Sequence, residues 1–374
     1  ILWTVPAGGG EPVQVTEGEH IDWNPVWSPD GRYLYFISDR NGSMNVWKVP
    51  IDETSGKVLG SPQAVTTSSQ SMGLLSVSRD GQKIVYATDE GKSNLERRTL
   101  DPESLAVARE VSPVTQGSRA VRSAAVSPDG EWIVFDTSLP QEDLFIVRPD
   151  GSGFRQLTND PHRDRIPHWT PDSSRVLFYS NRDGGYRAWT IRADGSGLQP
   201  IPHGTPDPLY TPIASPCGEQ LVATLGSRGA ALVDLAQPPA RRIRWLPRPQ
   251  GEGEVFSPTS WSADGQRLAG TLEADGSAVP GVVVYSFASG RYERLTDRGT
   301  IPVWLPDSRT VLYLDEGKIF RRSLDATEPR LVLEPPPSSV FRGVAVGPDG
   351  RSLYAVRESD EGDVWMMTML PAER

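Results

Sequence analysis

Residues Asn24–Ile51 read NPVWSPDGRYLYFISDRNGSMNVWKVPI, and this stretch decides the fold. It holds three short strands joined by two tight turns. The first strand ends at Ser28-Pro29-Asp30-Gly31. There Pro29 presets φ for a turn, Asp30 takes the next position, and Gly31 accepts the left-handed conformation that folds the chain back. Tyr33–Ser38 is rich in aromatic and branched residues, as suits a strand buried on both faces. Asn41-Gly42 tolerates the positive φ of a type I′ hairpin turn, and Val46, Trp47 and Val49 supply a third strand. One such meander cannot bury both of its faces alone.

The rest of the chain repeats it. WSPDG at Trp27–Gly31 is followed by VSRDG (Val77–Gly81), VSPDG (Val126–Gly130), WTPDS (Trp169–Ser173) and ASPCG (Ala214–Gly218). WSADG (Trp261–Gly265), WLPDS (Trp304–Ser308) and VGPDG (Val346–Gly350) complete the series. Successive motifs lie 50, 49, 43, 45, 47, 43 and 42 residues apart. After each comes a second strand, then a third such as DLFIVRPDGSG or RAWTIRADGSG, then a fourth that often ends in Leu-Thr (Arg155–Thr158, Glu293–Thr296). Four strands in each period of about 45 residues is the pattern of propeller blades. The expectation is therefore an all-β, eight-bladed β-propeller of four-stranded antiparallel blades, one domain spanning residues 1–374. Pairing of N- and C-terminal strands should close the ring, with Pro12–Thr16 completing the blade begun at Phe341. Ile1–Pro6 also reads as a third strand and competes with Asp363–Met369 for that place.

Composition narrows the functional classes. The 374 residues carry a net charge of −10, which argues against a general nucleic-acid binder. No apolar run reaches the roughly 18–20 residues of a membrane-spanning helix, so direct membrane insertion is not expected. The single Cys217 excludes an internal disulfide framework. The chain opens at Ile1 with neither initiator Met nor signal-like segment, as expected of a processed form or a fragment of a longer protein.

WSPDGRYLYFISDRNG…VWKV and LTNDPHRDRIPHWTPDSSRVLFYSNRDG…WTIRADGSG resemble the WD40-like PD40 repeat of TolB-like β-propellers. The resemblance runs through the whole chain and is weakest in the fifth repeat, where Cys217 replaces the turn aspartate. It implies a bacterial, periplasmic or otherwise extracytoplasmic protein. It also implies a non-enzymatic binding or sensor role, as in TolB and in sensory domains joined to bacterial serine/threonine kinases and winged-helix regulators. The alternative it carries is a propeller enzyme: a metal-dependent oligogalacturonate-type polysaccharide lyase, or the accessory propeller of a peptidase.

Catalytic motifs fail one by one. His162-Arg163-Asp164 spells a kinase triplet, but Trp169 stands where the metal-binding Asn belongs and no Asp-Phe-Gly follows. Gly91-Lys92-Ser93 resembles the end of a phosphate loop, yet Tyr86 occupies the required upstream glycine position. No serine has the flanking glycines of a nucleophile elbow. Asn41-Gly42-Ser43 is a formal glycosylation sequon that the hairpin explains better. The turn aspartates Asp30, Asp80, Asp129, Asp172, Asp264, Asp307 and Asp349 read as acceptors for their own turns rather than as a cation ring. Trp27, Trp169, Trp261 and Trp304 read as packing between blades. His162, His168 and His203, with Asp164 or Asp207, match no known local metal-ligand spacing, so neither metal nor cofactor is expected.

What remains is the loops that return the chain to the propeller axis. Variable loops on a rigid scaffold are where binding usually resides. They bring His20, Trp23, Arg119, Arg122, His162, Arg163, Arg165, Tyr210, Arg298 and Arg342 near the expected channel mouth. Arginines in a chain of net negative charge favour a carboxylate. The expected partner is thus a protein or peptide, or a small anionic ligand, bound by a monomer. The competing reading is a solvated rim with local Arg–Asp pairs such as Arg163/Asp164.

Overall fold

The structure is a computed structural model. It describes the chain through Met369, apart from residues 18–19, 41–43, 68–71, 90–91, 102, 118–119, 139–140, 250, 252, 275 and 360–361. The Asn41-Gly42 turn with its sequon, Gly91 of the phosphate-loop reading, and Arg119 therefore lie outside the described residues.

The fold is all-β, with two short 3-10 turns, and every strand pairing is antiparallel apart from one isolated bridge. All eight motif turns form hairpins between the first and second strands of their repeats, from Asp22–Trp27 with Tyr33–Ser38 to Ser339–Val346 with Ser352–Ser359. The aspartates act within their turns. Asp30 Oδ1 accepts from Ser28 Oγ at 2.7 Å and from the Arg32 backbone N–H at 3.2 Å. The Ser28 bond first, then that of the Arg32 guanidinium and then that of the Arg32 backbone N–H, lower its pKa to about 2. Equivalent bonds recur at Asp80, Asp129, Asp172 and Asp264.

The chain forms two compact units, Lys92–Ser359 and Ile1–Gly91 with Asp360–Arg374. In the first, six four-stranded sheets follow one another and are welded by apolar seams. Leu144 and Ile146 meet Trp169 and Phe178. Leu177 then meets Leu221, and Leu232 meets Phe256. Val282 meets Trp304, Leu312 meets Leu353, and Val356 with Leu95 returns to Phe135. The last seam closes the succession, which counts six sheets within this unit.

The sheet begun at Phe341 corrects the expected closure. Its third and fourth strands are Lys92–Thr99 and Ser112–Pro113, not Pro12–Thr16. Val13–Gln14 pairs instead with Trp3–Thr4, and the C-terminal Gly362–Thr368 pairs with Lys83–Asp89. The cross-strand partners supply the reason. Gly362–Thr368 sets Trp365, Met366 and Met367 opposite Tyr86, Val85 and Ile84, apolar on apolar. Lys92–Thr99 brings the buried Glu96 to Arg357 of the facing strand, at 2.9 Å. Matched neighbours of this kind stabilise one pairing over another.

The second unit stacks the sheet Asp22–Ala64 against the three-stranded sheet of Met72–Val77, Lys83–Asp89 and Gly362–Thr368, through Ile37, Val46, Leu75 and Ile84. Leu2 and Val15, beside the Trp3–Thr4 and Val13–Gln14 ribbon, pack on Phe36 and Val49.

Candidate functional site

Four of the residues singled out in the sequence come together in the six-sheet unit: Arg122, Arg163, Arg165 and Tyr210. Arg122 sits in the first strand Val121–Val126, Arg163 just precedes the first strand Asp164–Trp169, and Arg165 lies within it. All three guanidinium groups converge on Glu142. Arg165 grips it with both prongs, Nε and one terminal nitrogen each at 2.6 Å. Arg122 and Arg163 stand farther off, at 3.7 and 3.9 Å, with side chains 40% and 58% exposed. Arg122 also acts on the buried Asp136, and the two loosely held arginines are the ones that reach solvent. Burial pushes the Glu142 carboxyl up, but the Arg165 hydrogen bonds and the three cations outweigh it and hold the group below the usual range.

Beside the cations stands an aromatic wall. Tyr179, Tyr186 and Tyr210 pack in a triangle with ring centres 5.2, 5.4 and 5.6 Å apart, and Arg165 lies 5.6 Å over the Tyr186 ring. Contacts of this type stiffen both partners.

The backbone beneath is fixed by a device that the sequence reading missed. Asn24, Ile166, Thr211 and Ile301 all have positive φ, and each precedes a proline. At each, the register of the first strand slips against the second. Branched residues rarely adopt this conformation, and bulges of this kind re-aim side chains near their ends. Here they set the course of the chain just after Arg165 and Tyr210. The buried Asp136 locks one of them: it accepts from the Ser123 N–H at 2.9 Å and from the Ile166 N–H at 3.2 Å. Burial nevertheless raises its pKa.

The other expected site residues stand apart from this cluster. His20 lies 3.5 Å from Asp39, and Trp23 is half exposed, both in the smaller unit. Arg298 pairs with Glu316 at 3.4 Å, and Arg342 binds Glu358 at 2.6 Å. His162 contributes its backbone carbonyl, which accepts from Gln141 Nε2 at 2.6 Å. The buried His203 meets the Asp207 carbonyl at 3.2 Å. Among the described residues no group of three or more His, Cys, Asp or Glu side chains is placed to hold a metal ion. Glu142, Tyr179 and Tyr186 were not singled out from sequence. Their one local signal is an acidic residue and two tyrosines flanking arginine-bearing turns.

A pH test separates two buried groups nearby. Burial lowers the His168 pKa to about 4. Its protonation therefore favours the unfolded chain, and this contribution is lost as pH falls from about 6.5 toward 4. Asp143 has the opposite sign. Burial, then Asp164 and Asp160, raise it to about 6, so its contribution grows as pH falls from 6 toward 3.8. Between pH 6 and 4 these two contributions oppose each other. Replacing His168 by Gln removes one side of this balance. Urea unfolding at pH 7 and pH 4.5 should show the variant gaining about 2–3 kcal/mol on wild type toward acid. An unchanged difference would mean that His168 titrates normally.

No family model matches the chain. One stretch of 87 residues is 30% identical to part of an uncharacterized protein of Agrobacterium fabrum, covering 23% of this chain and 28% of that protein. The match thus spans little more than a quarter of that relative. Among solved structures, TolB from Acinetobacter baumannii aligns over 86% of this chain and 78% of its own, at 14% identity and a TM-score of 0.50. A chain of a nidogen/laminin complex aligns over 68% of this chain and 97% of its own, at 10% identity and a TM-score of 0.54. In its fold, this chain is similar to the TolB β-propeller.

Proposed function

We propose that the chain is a non-enzymatic recognition module, the sensory or scaffold part of a bacterial envelope or signalling protein. Its partner presents a carboxylate to Arg122 and Arg163 and an apolar or aromatic group to the tyrosine wall. An acidic protein segment or peptide fits this description, as does a small aromatic carboxylate. One observation carries the reading: three guanidinium groups share Glu142, and two of them are held at 3.7 and 3.9 Å, beyond hydrogen-bond length. A ligand carboxylate would gain two charge-assisted bonds there while Arg165 stays on Glu142.

The test is a screen of short acidic peptides with and without an aromatic neighbour, read by fluorescence anisotropy. Arg122→Ala with Arg163→Ala should weaken the best binder by about 1–3 kcal/mol, the scale of hydrogen bonds to charged groups. Raising salt should weaken it as well. The reading fails if no acidic peptide binds, or if the double variant binds as the wild type does.

A further inference from the structure

The sheet that runs from Thr300 to Leu333 sets two arginines face to face at its outer edge. Its third strand is Lys318–Ser323 and its fourth is Arg330–Leu333. Ile319 lies opposite Leu333, a register that, continued, would put Leu331 opposite Arg321. The ladder slips by one residue after Ile319, so Arg330 stands there instead. The slip leaves Leu331 51% exposed, and like charges directly opposed in a ladder repel. Other third and fourth strands avoid this: Arg294 faces Val283, Arg244 faces Leu232 and Lys48 faces Gln63. Bulges re-aim side chains, and this one aims Arg330 at a second cation.

No carboxylate settles the charge. Other cations of this sheet are paired, Arg309 with Asp325 at 3.0 Å and Lys318 with Glu334 at 2.6 Å. Among the described residues, neither Arg321 nor Arg330 forms an ion pair or a side-chain hydrogen bond. Burial, and then Arg330, lower the Arg321 pKa, as befits a cation held without a counter-ion. Beside the pair lies a cavity of about 190 Å³, lined by Thr310, Arg321, Ser323, Ala326, Glu328 and Arg330. Thr310 stands opposite Ser323 in the ladder. Ala326 donates its N–H to the Ser323 carbonyl at 3.2 Å, in the turn that carries the chain on to Glu328. A water takes about 30 Å³, so the cavity has room for one four-oxygen anion with a few waters.

We propose that this cavity is an inorganic-phosphate site. Arg321 and Arg330 donate to the phosphate oxygens, and the hydroxyls of Thr310 and Ser323 supply further donors. An anion between the two guanidiniums turns their repulsion into shared attraction. Glu328 sets the choice of anion. Phosphate keeps a proton at neutral pH and can donate it to the Glu328 carboxylate, whereas sulfate has none to offer and meets that carboxylate as a like charge. A phosphomonoester, largely a dianion at pH 7, is disfavoured for the same reason. The site shares no residue with the arginine cluster on Glu142.

Isothermal titration calorimetry of the full chain at low ionic strength tests this, with inorganic phosphate, sulfate and glycerol 3-phosphate as probes. Phosphate should bind saturably with a Kd below about 1 mM, and the other two at least about tenfold more weakly. Arg321→Gln with Arg330→Gln should weaken phosphate at least about tenfold. That variant should melt no lower than wild type in phosphate-free buffer, since the opposed charges are gone, and phosphate should raise the midpoint of wild type alone. Glu328→Gln should still bind phosphate and bring sulfate to within about threefold of it, because an amide can donate where the carboxylate could not. Absence of saturable phosphate binding, equal binding of sulfate by the wild type, or indifference to the double substitution would each overturn the proposal. So would loss of phosphate binding in Arg122→Ala with Arg163→Ala, which would move the anion to the Glu142 cluster.

Discussion

Arg182→Ala should destabilise the protein by about 3–5 kcal/mol, the cost of leaving a buried charge without its partner. Arg182 bridges Asp160 and Asp164, and the Asp164 side chain is wholly buried. Burial already pushes the Asp164 carboxyl above its usual pKa, with Ser180 and Arg182 pulling it back. Without the guanidinium, the carboxylate must either stay charged in a dry site or take up a proton. The loss should accordingly shrink as pH falls, because a neutral carboxyl no longer needs a cation. Asn at position 164 in the same background should restore part of the stability. Arg342→Ala is the control: its pair with Glu358 has an arginine side chain 58% exposed, and the expected loss is under about 1 kcal/mol. Urea unfolding of the three variants decides it, and equal losses for Arg182→Ala and Arg342→Ala would refute the argument. The geometry recurs in the first repeat, where Arg40 holds the buried Asp22 at 3.0 and 3.1 Å across the same 18-residue interval.

That recurrence shows what could be read without coordinates. The Ser-Pro-Asp-Gly turn is local: proline, aspartate and glycine each act within four residues, so all eight hairpins were legible. Partner choice between third strands was not. Lys92–Thr99 and Gly362–Thr368 both follow a second strand after two residues, and either could fold back on its own predecessor. Period-two patterning says which face each residue takes but not which strand lies beside it. The choice rests on side chains some 260 residues apart, such as Glu96 with Arg357. The candidate site divides in the same way. Arg122, Arg163, Arg165 and Tyr210 were visible because repeat position places them at the start of first strands. Glu142 was not, because its meaning comes from three arginines of neighbouring strands. The kinked first strands were hidden as well. A branched residue before proline is normally extended, and Ile166 and Ile301 adopt positive φ only within an assembled sheet.

The tryptophan that precedes the turn should matter where it is buried between sheets and little where it is not. Trp169 is 7% exposed, packs with Val134, Ile146 and Phe178, and donates its indole N–H to the Ala125 carbonyl of the neighbouring sheet at 3.0 Å. Trp169→Ala removes a large ring from a seam that joins two sheets, and the expected loss is about 3–5 kcal/mol. Trp169→Phe keeps much of the apolar volume but leaves the Ala125 carbonyl without its donor, so about 1–2 kcal/mol should go. Trp27 occupies the same place in the first repeat yet is 38% exposed. Its replacement by Ala uncovers less apolar surface and should cost under about 1.5 kcal/mol. Denaturant unfolding followed by far-ultraviolet circular dichroism orders the three variants. If Trp27→Ala and Trp169→Ala cost the same, the shared motif position governs stability. If they separate as expected, the repeat supplies only the position, and burial between neighbouring sheets turns it into binding energy within the fold.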